Sequence, residues 1–239
     1  MALLPWLQGK VIKVLDETPD TRRFWVQAGS VSRFDFEPGQ FVTLELPIHE
    51  KPTMRLRSYS IASAPDDTNI FELVIVLDKR GAGTPFIFEH LAEGADVKFR
   101  GPGGVFKLKQ PIEKDVFFVC TGTGIAPFRS MVNHIKNKDI PHKDVHLIFG
   151  CRNKASLLYY DELKALTQSL PGFYYHPVLS REEWEGARGY VHTVYEELCG
   201  ERQPADFYLC GWRGMVDEAK ERIQAMGYEK KDIHLEIYG

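Results

Sequence analysis

Cysteine is scarce in this sequence of 239 residues, which contains four of them. They stand far apart, at Cys120, Cys151, Cys199 and Cys210. No two have the close CxxC-type spacing of a zinc site or an iron–sulfur cluster, so we expect no such centre in this chain. Few cysteines in a chain of this length are typical of a reducing, cytoplasmic setting.

The sequence also lacks any apolar run near the ~18–20 residues that a membrane-spanning helix requires, so we expect no membrane partner. Its apolar start, residues 1–7, is short and has no basic leader, which argues against a secretion signal. Charge of one sign is not in large excess either, because 30 basic and 33 acidic side chains give a net charge of −3. This balance argues against nucleic acid as the main partner. The composition that remains is that of an ordinary globular protein with one large or two smaller domains.

The first part of the chain consists of short alternating segments with glycine and proline between them. The segments predicted as strands are 10–15, 23–27, 40–46, 58–62, 71–77 and 96–100. Many short strands at this spacing predict an antiparallel β-barrel or sandwich. One helix is expected among them, with Thr84 as its cap, Pro85 at its first position and residues 86–91 as its continuation.

From about residue 115 the pattern changes to buried strands that alternate with helices, which predicts a doubly wound parallel α/β sheet. The predicted strands are 116–120, 145–150, 173–179, 207–210 and 233–238, and the predicted helices are 127–136, 160–169, 192–198 and 212–226. In the last of these helices, Trp212 and Met215 share one apolar face with other apolar side chains. The segment 110–114 is the predicted boundary, so we expect a first domain at 1–110 and a second at 111–239.

Two segments of the first part are candidates for phosphate binding. In RSYS (57–60), a strand would place Arg57 and Tyr59 on one face, where a cation and an aromatic hydroxyl can hold a phosphate and a flat ring. The turn KRGAGTP (79–85) runs into a helix, whose free N–H groups and dipole favour an anion. The alternatives are an ordinary edge strand and a simple strand-to-helix turn.

Two segments of the second part are placed where a dinucleotide binds in such sheets. TGTG (121–124) follows the first predicted parallel strand and opens a helix, as a pyrophosphate-binding loop does. It departs from the GxGxxG pattern because Pro127 stands at the last position. Cys210-Gly211 ends a later strand, which places it beside the same crevice. The alternative for Cys210 is that of a small buried hydrophobic residue.

Eight motifs occur in order along the chain. They are PGQF (38–41), RSYS (57–60), the Gly/Thr turn (81–84), GPGGVF (101–106), CTGTGIAPFRS (120–130), SLLY (156–159), CGWRGM (210–215) and the terminal EIY (236–238). This set resembles the ferredoxin–NADP reductase superfamily over nearly the whole chain. The resemblance implies an N-terminal antiparallel β-barrel that binds FAD and a C-terminal α/β doubly wound parallel sheet that binds NAD(P).

The resemblance also implies which residues bind FAD. They are Arg57, Ser58, Tyr59, Ser60, Gly81, Gly83 and Thr84. Arg57 is expected to clamp the diphosphate together with N–H groups of the turn at Gly83 and Thr84. Tyr59 is expected to pack on the isoalloxazine and Ser60 to hydrogen-bond near flavin N5.

The NAD(P) contacts that the resemblance implies lie in the second domain. They are Thr121, Gly122, Thr123, Gly124, Arg152, Ser180, Arg181, Arg188, Tyr190, Cys210 and Gly211. Ser180-Arg181 and Arg188-x-Tyr190 resemble the 2′-phosphate site of plant-type relatives, which favours NADP(H). NAD(H) stays open, because relatives that use NADH also carry arginine near these positions. The acidic side chains at 182, 183 and 185 are expected to form a solvated face.

Ser60, Cys210, Glu236 and Tyr238 are the residues that the resemblance makes catalytic. Cys210 is expected near nicotinamide C4, and Glu236 near Ser60 as a proton relay. Tyr238 is expected to cover the flavin and to move aside for the nicotinamide. The alternatives are an exposed carboxylate for Glu236 and an aromatic anchor of the last strand for Tyr238.

The leading functional prediction is a flavoprotein oxidoreductase that moves electrons between NADP(H) and a separate one-electron carrier, a ferredoxin or flavodoxin. One alternative is the NAD(P)H-dependent reductase component of an oxygenase system. Another is a stand-alone flavin reductase, which would hold its flavin loosely. From a different class, the chain could be an electron-transfer or regulatory subunit that binds FAD without turning over NAD(P)H. The intact pattern at 121–127 and Cys210-Gly211 favours turnover.

Overall fold

The structure, a computed structural model, describes residues 4–29 and 31–238. Residues 1–3, Ser30 and Gly239 lie outside the described residues. Part of the apolar segment 1–7 and the glycine after Tyr238 are thus not described. The chain divides into two compact units. The first comprises residues 1–108 and 129–134, and the second comprises 109–128 and 135–239.

The first unit is an antiparallel sheet of six strands. They are β1 (Leu7–Thr18), β2 (Thr21–Ala28), β3 (Phe41–Glu45), β4 (Leu56–Ser60), β5 (Ile70–Val76) and β6 (Asp96–Gly103), in the order β4-β3-β6-β1-β2-β5. A bridge between Ile61, which follows β4, and Leu73 in β5 joins the two ends of the sheet and closes it into a barrel. Apolar side chains fill the interior of the barrel. Among them, the ring of Phe71 packs against the rings of Phe34 and Phe99, with centroid distances of 5.0 and 5.1 Å. This confirms the predicted antiparallel barrel.

The second unit is a parallel sheet of six strands with helices on its faces. Its elements are β7 (Asp115–Thr121), α2 (Ile125–Asn137), β8 (Val145–Cys151), α3 (Tyr160–Ser169), β9 (Phe173–Leu179), β10 (Ala187–Arg188), α4 (Val191–Leu198), β11 (Ala205–Trp212), α5 (Arg213–Ala225) and β12 (Ile233–Tyr238). The strand order is β10-β9-β8-β7-β11-β12. Strands β7 and β8 are buried over nearly their whole length, as expected for strands covered on both faces. This confirms the predicted doubly wound sheet.

The strand order reverses beside β7, which determines where a ligand would bind. The chain runs outward from β7 to β8, β9 and β10 on one side, and then crosses back to β11 and β12 on the other. In open α/β sheets, ligands bind outside the carboxyl ends of the strands at such a switch point. The segment after β7 and the end of β11 therefore line the expected crevice of this unit.

Two local predictions about helix starts are wrong. Helix α1 runs from Gly83 to His90 with Ala82 as its N-cap, so Thr84 and Pro85 lie inside the first turn rather than at the cap and the first position. Trp212 ends β11 instead of beginning α5, and it is 69% exposed. The buried face of α5 consists of the other predicted apolar residues, Met215, Val216, Ala219 and Ile223, while Met226 is its C-cap.

Candidate functional site

Strand β4 carries the RSYS segment and pairs with β3 along its length. Ser60 is buried at 5% exposure, whereas Ser58 is exposed and its hydroxyl oxygen lies 3.0 Å from that of Thr43. Burial raises the pKa of Tyr59 to about 12, and the positive charge of Arg57 offsets part of the increase. The Tyr59 phenol therefore keeps its proton at neutral pH and can donate a hydrogen bond.

Arg57 and Gly83, which belong to the two phosphate motifs, lie directly against each other. A Cβ atom at Gly83 would come within 2.9 Å of Nε of Arg57. Nη1 of Arg57 donates to the carbonyl oxygens of Met54 at 3.1 Å and Leu56 at 2.8 Å, which fixes the guanidinium. The first N–H groups of α1, beginning at Gly83, have no partner within the helix. A fixed cation beside a helix N-terminus fits a phosphate group, so this part of the first unit suits the FAD diphosphate.

The turn before α1 is held by Asp78. The Thr84 hydroxyl accepts a hydrogen bond from the Asp78 N–H at 2.8 Å and donates one to its carbonyl oxygen at 3.1 Å. Arg80 donates to the Asp78 carboxylate through Nε at 2.9 Å and Nη2 at 3.1 Å, and these bonds lower the pKa of Asp78. The Thr84 side chain thus shapes the turn, and its backbone rather than its hydroxyl is left to meet a ligand.

Arg129 and Ser130 support the segment that follows RSYS, a role that the sequence analysis missed. Within the first unit, Nη1 of Arg129 donates to the Ala62 carbonyl oxygen at 2.9 Å and to the Glu72 carboxylate at 3.0 Å. The Ser130 hydroxyl donates to the Ser63 carbonyl oxygen at 2.6 Å. The available signal was FRS at the end of the CTGTGIAPFRS motif, but nothing in its spacing shows which strands it would reach.

In the second unit, glycines bring the loop after β7 close to the end of β11. A Cβ atom at Gly124 would lie 2.4 Å from the Cys210 carbonyl oxygen, and one at Gly211 would lie 2.5 Å from Oγ1 of Thr121. Gly122 has a φ of +54° and no neighbour within 4 Å of a Cβ position, so its surroundings are open. A 3₁₀ turn at Gly122–Gly124 leads directly into α2, and the Ile125 N–H donates to the carbonyl oxygens of Gly122 and Thr123. This cradle fits a dinucleotide pyrophosphate.

Cys210, Glu236 and Tyr238 come together at one end of the second sheet. The parallel register pairs Cys210 with Glu236 and Trp212 with Tyr238. Cys210 is fully buried, and burial raises the pKa of its thiol well above the usual value. The negative charge of Glu236 adds to the increase. The thiol is therefore protonated at neutral pH, which suits a contact residue rather than a nucleophile.

A pocket of about 530 Å³ lies at the end of β9. Its lining consists of Leu179, Ser180, Arg181, Glu182, Glu183, Arg188 and Gly189. The predicted phosphate-binding residues Ser180, Arg181 and Arg188 are thus brought together. Arg152 and Tyr190 lie outside this lining, although the Arg152 carbonyl oxygen accepts the Arg181 N–H at 2.9 Å. All three acidic side chains expected on a solvated face are exposed, and two of them, Glu182 and Glu183, also line the pocket.

The predicted catalytic residues are divided between the two units. Ser60 belongs to the first, and Cys210, Glu236 and Tyr238 belong to the second. The expected proximity of Ser60 to Glu236 and the stacking of Tyr238 on a flavin stay predictions. Glu236 is half-buried rather than fully exposed.

In residues 4–29 and 31–238, no three His, Cys, Asp or Glu side chains are grouped so that they could hold a metal ion. None of the helices in the same ranges combines the length and the apolar character needed to span a lipid bilayer. All four cysteines are free thiols.

Comparison with known proteins agrees with this geometry. The family model of the oxidoreductase FAD-binding domain matches residues 8–108, and that of the oxidoreductase NAD-binding domain matches residues 118–221. Ferredoxin–NADP reductase B of Sorangium cellulosum is 33% identical over 241 residues, which are 97% of this chain and 97% of that protein. The chain therefore belongs to the ferredoxin–NADP reductase superfamily. It is a flavoprotein oxidoreductase with an FAD-binding and an NAD(P)-binding domain.

Other similar proteins are longer than this chain. The glycine betaine monooxygenase reductase subunit of Pseudomonas aeruginosa is 30% identical over 98% of this chain, and the chain spans 66% of that protein. Among solved structures, the cytochrome P450 reductase GcoB of Amycolatopsis has a TM-score of 0.88 at 27% identity. That match covers 99% of this chain and 71% of GcoB. One of these proteins is named as the reductase subunit of a monooxygenase and the other as a cytochrome P450 reductase, so membership of the superfamily does not decide the partner.

Proposed function

We propose that this chain transfers electrons between NADP(H) and a small one-electron carrier protein, a ferredoxin or a flavodoxin. The observation that carries the proposal is the presence of two anion cradles in one chain. One is formed by Arg57 and Gly83, and the other by the Gly122–Gly124 turn beside Cys210. A protein that only bound FAD would have no use for the second cradle.

The first unit would hold FAD. Bound FAD supplies the redox chemistry, because it accepts a hydride and releases single electrons. Arg57 and the N–H groups at the start of α1 would bind the diphosphate, and Tyr59 would pack on the isoalloxazine with its phenol protonated. Ser60, which is buried at the end of β4, would hydrogen-bond near N5.

The second unit would orient the nicotinamide dinucleotide for hydride transfer between nicotinamide C4 and flavin N5. Thr121, Thr123 and the glycines between and after them would bind the pyrophosphate. Cys210 would contact the nicotinamide as a neutral thiol, and Gly211 would let the dinucleotide approach closely. Glu236 and Tyr238 lie at the same end of the sheet, where Glu236 would relay protons and Tyr238 would cover the flavin. The contribution of the protein is mainly positioning.

The 2′-phosphate of NADP(H) would bind in the pocket at the end of β9. Ser180, Arg181 and Arg188 supply the hydroxyl and the cations that a phosphate requires. Arg152 and Tyr190 would contact the adenosine side from outside the lining.

Membership of the superfamily does not identify the electron-transfer partner, which is therefore part of the proposal. The Sorangium cellulosum relative, which this chain matches over 97% of both lengths, is named as a ferredoxin–NADP reductase, and this favours a carrier of the ferredoxin or flavodoxin type. The second candidate is the reductase component of an oxygenase system, favoured by the relative named as a glycine betaine monooxygenase reductase subunit. The domain boundaries 1–110 and 111–239 are part of the proposal, which the family models matched at 8–108 and 118–221 support without fixing the point of division. Four free thiols support the proposed cytoplasmic location.

The decisive experiment is NADPH-driven reduction of purified ferredoxins, flavodoxins and oxygenase ferredoxins by the FAD-loaded chain, with ferricyanide as a non-specific acceptor. We expect rapid reduction of one class of carrier, with a rate that falls as salt rises, because docking of such carriers is electrostatic. Activity with ferricyanide but with no carrier protein would overturn the proposed partner. Stoichiometric FAD without any NAD(P)H oxidation would support the non-catalytic subunit, and flavin that is lost on purification would support a flavin reductase.

A further inference from the structure

The pocket at the end of β9 contains charges of both signs. Arg181 and Arg188 line it together with Glu182 and Glu183. Its floor is fixed to the neighbouring strand, because the Ser180 N–H donates to the Cys151 carbonyl oxygen at 3.0 Å. A site built only for a phosphate dianion would gain nothing from two carboxylates, since each opposes the binding of negative charge.

Glu183 forms an ion pair with Arg188, one of the two arginines that line the pocket. Its Oε1 lies 2.9 Å from Nη2 of Arg188, and both side chains are largely exposed, at 84% and 57%. Glu182 is held differently: its carboxylate accepts the backbone N–H of Lys154 at 2.9 Å, which ties it to the segment after β8. Glu183 is therefore the carboxylate that pairs with a pocket arginine through a solvent-accessible and easily exchanged contact.

The pair with Arg188 places a carboxylate where a phosphate would bind. A 2′-phosphate that binds the same edge of the Arg188 guanidinium must displace Glu183, and this displacement costs the energy of the ion pair. A ribose 2′-hydroxyl needs no displacement, because it can donate a hydrogen bond to a carboxylate while Arg188 stays paired. Acidic side chains select the 2′-hydroxyl of NAD, and arginines select the 2′-phosphate of NADP.

We propose that Glu183 is a specificity-determining residue, an internal competitor of the 2′-phosphate that lets this pocket accept both NADPH and NADH. The inference rests on the proposed function, because it assumes that the pocket binds the adenosine end of the dinucleotide. Glu183 weakens the binding of NADPH through its pair with Arg188 and accepts the 2′-hydroxyl of NADH. Its removal shifts the preference towards NADPH.

The test compares E183Q with E185Q in the FAD-loaded chain. Glu185 lies two residues away and contacts Lys154 at 3.7 Å, and it is not part of the pocket lining, so E185Q removes the same charge without freeing Arg188. The probes are 2′-phospho-AMP and 5′-AMP, whose dissociation constants are measured by calorimetry at about 0.15 M salt, where screening extends over ~8 Å. The ratio of kcat/KM for NADPH and NADH is a second readout.

We expect E183Q to bind 2′-phospho-AMP about three- to fivefold more tightly than the wild type, which corresponds to the energy of an exposed ion pair. We expect 5′-AMP to bind no more tightly and E185Q to resemble the wild type. R188Q should bind 2′-phospho-AMP about tenfold more weakly, as expected for loss of a charge-assisted contact. Adding E183Q to R188Q should leave this affinity unchanged, because Glu183 would no longer have an arginine to pair with.

Two results would overturn the inference in different ways. If the wild type binds both nucleotides and oxidises NAD(P)H but E183Q and E185Q shift the nucleotide ratio equally, Glu183 is no competitor and the proposed function stands. If the wild type binds neither nucleotide and oxidises neither dinucleotide, the proposed function fails and the inference fails with it.

Discussion

Replacement of Glu72 by glutamine is expected to destabilise the first unit by about 3 kcal/mol, the scale of a broken buried ion pair. Glu72 is 2% exposed in β5, and its carboxylate joins two arginines. Arg23 donates to it through Nε at 2.6 Å and Nη2 at 3.2 Å, and Arg129 donates through Nη1 at 3.0 Å. The arginine side chains are themselves only 15% and 11% exposed. A neutral amide would remove the negative charge that Glu72 places beside these two nearly buried cations.

The expected loss of stability depends on the contacts that Arg23 and Arg129 retain after the substitution. Removal of one partner from a buried ion pair typically costs about 3–5 kcal/mol. Arg23 retains a second carboxylate, since Nη1 lies 3.3 Å from Oε2 of Glu17, and Arg129 retains the Ala62 carbonyl oxygen at 2.9 Å. The substituted amide would also still accept a hydrogen bond through its oxygen. These remaining contacts place the expected loss near the lower end of that range.

The assay is urea denaturation at a fixed FAD concentration, with amide exchange of β5 as a readout for the first unit alone. The control is D96N, which breaks the Lys10–Asp96 pair at 2.8 Å in the same barrel, where the two side chains are 54% and 80% exposed. That exposed pair contributes at most about 1 kcal/mol. If E72Q and D96N destabilise the protein equally, the buried network contributes no more than a surface pair and the reasoning is wrong. An E72Q/R129Q double variant should show coupling of at least about 1 kcal/mol.

Three further predictions concern the two cradles. G83A should weaken FAD binding by tenfold or more in a flavin titration, because its Cβ would meet Nε of Arg57 at 2.9 Å; G81A, where the nearest atom is 3.9 Å away, should have a much smaller effect. G124A should lose most NADPH oxidation while it retains FAD, since its Cβ would lie 2.4 Å from the Cys210 carbonyl oxygen and push the loop away; equal FAD loss would show general unfolding instead. Iodoacetamide should leave Cys210 unmodified between about pH 7 and 9, because the raised pKa keeps the thiol protonated there, whereas rapid labelling that increases in that range would contradict the burial argument.

The alternation of the strands and the glycine-rich segments was predictable because these features are local in sequence. All of the strands predicted in both halves occur in the structure, and the TGTG segment leads from β7 into α2 as expected. The start of α1 was not predictable from capping preference, because the Thr84 hydroxyl bonds to Asp78 rather than to a helix end. Trp212 fits the helical period of α5, but the parallel ladder with β12 extends through it and ends the strand there.

The Arg129–Glu72 contact could not be predicted for a different reason. Its partners are 57 residues apart, and neither sits in a periodic pattern that requires the other. Glu183 and Arg188 are close in sequence, but they have the pattern of a solvated charge run until the pocket at the end of β9 is seen. Composition and period identify which residues are buried or turn-forming, whereas the choice of charge partner depends on the tertiary approach of loops.

Cys210 shows how burial limits the chemistry of the second cradle. It lies near the end of a strand at the switch point of the sheet, beside Gly124 and Gly211, where a reactive thiolate would be well placed to attack a ligand. Yet its environment opposes ionisation: it is fully buried, and Glu236 adds negative charge that raises the pKa of the thiol further. The arrangement therefore disfavours Cys210 as a nucleophile, and a neutral thiol is compatible with hydride transfer between two bound rings, which needs no bond to the protein. A covalent mechanism would need a cation where this structure places a carboxylate.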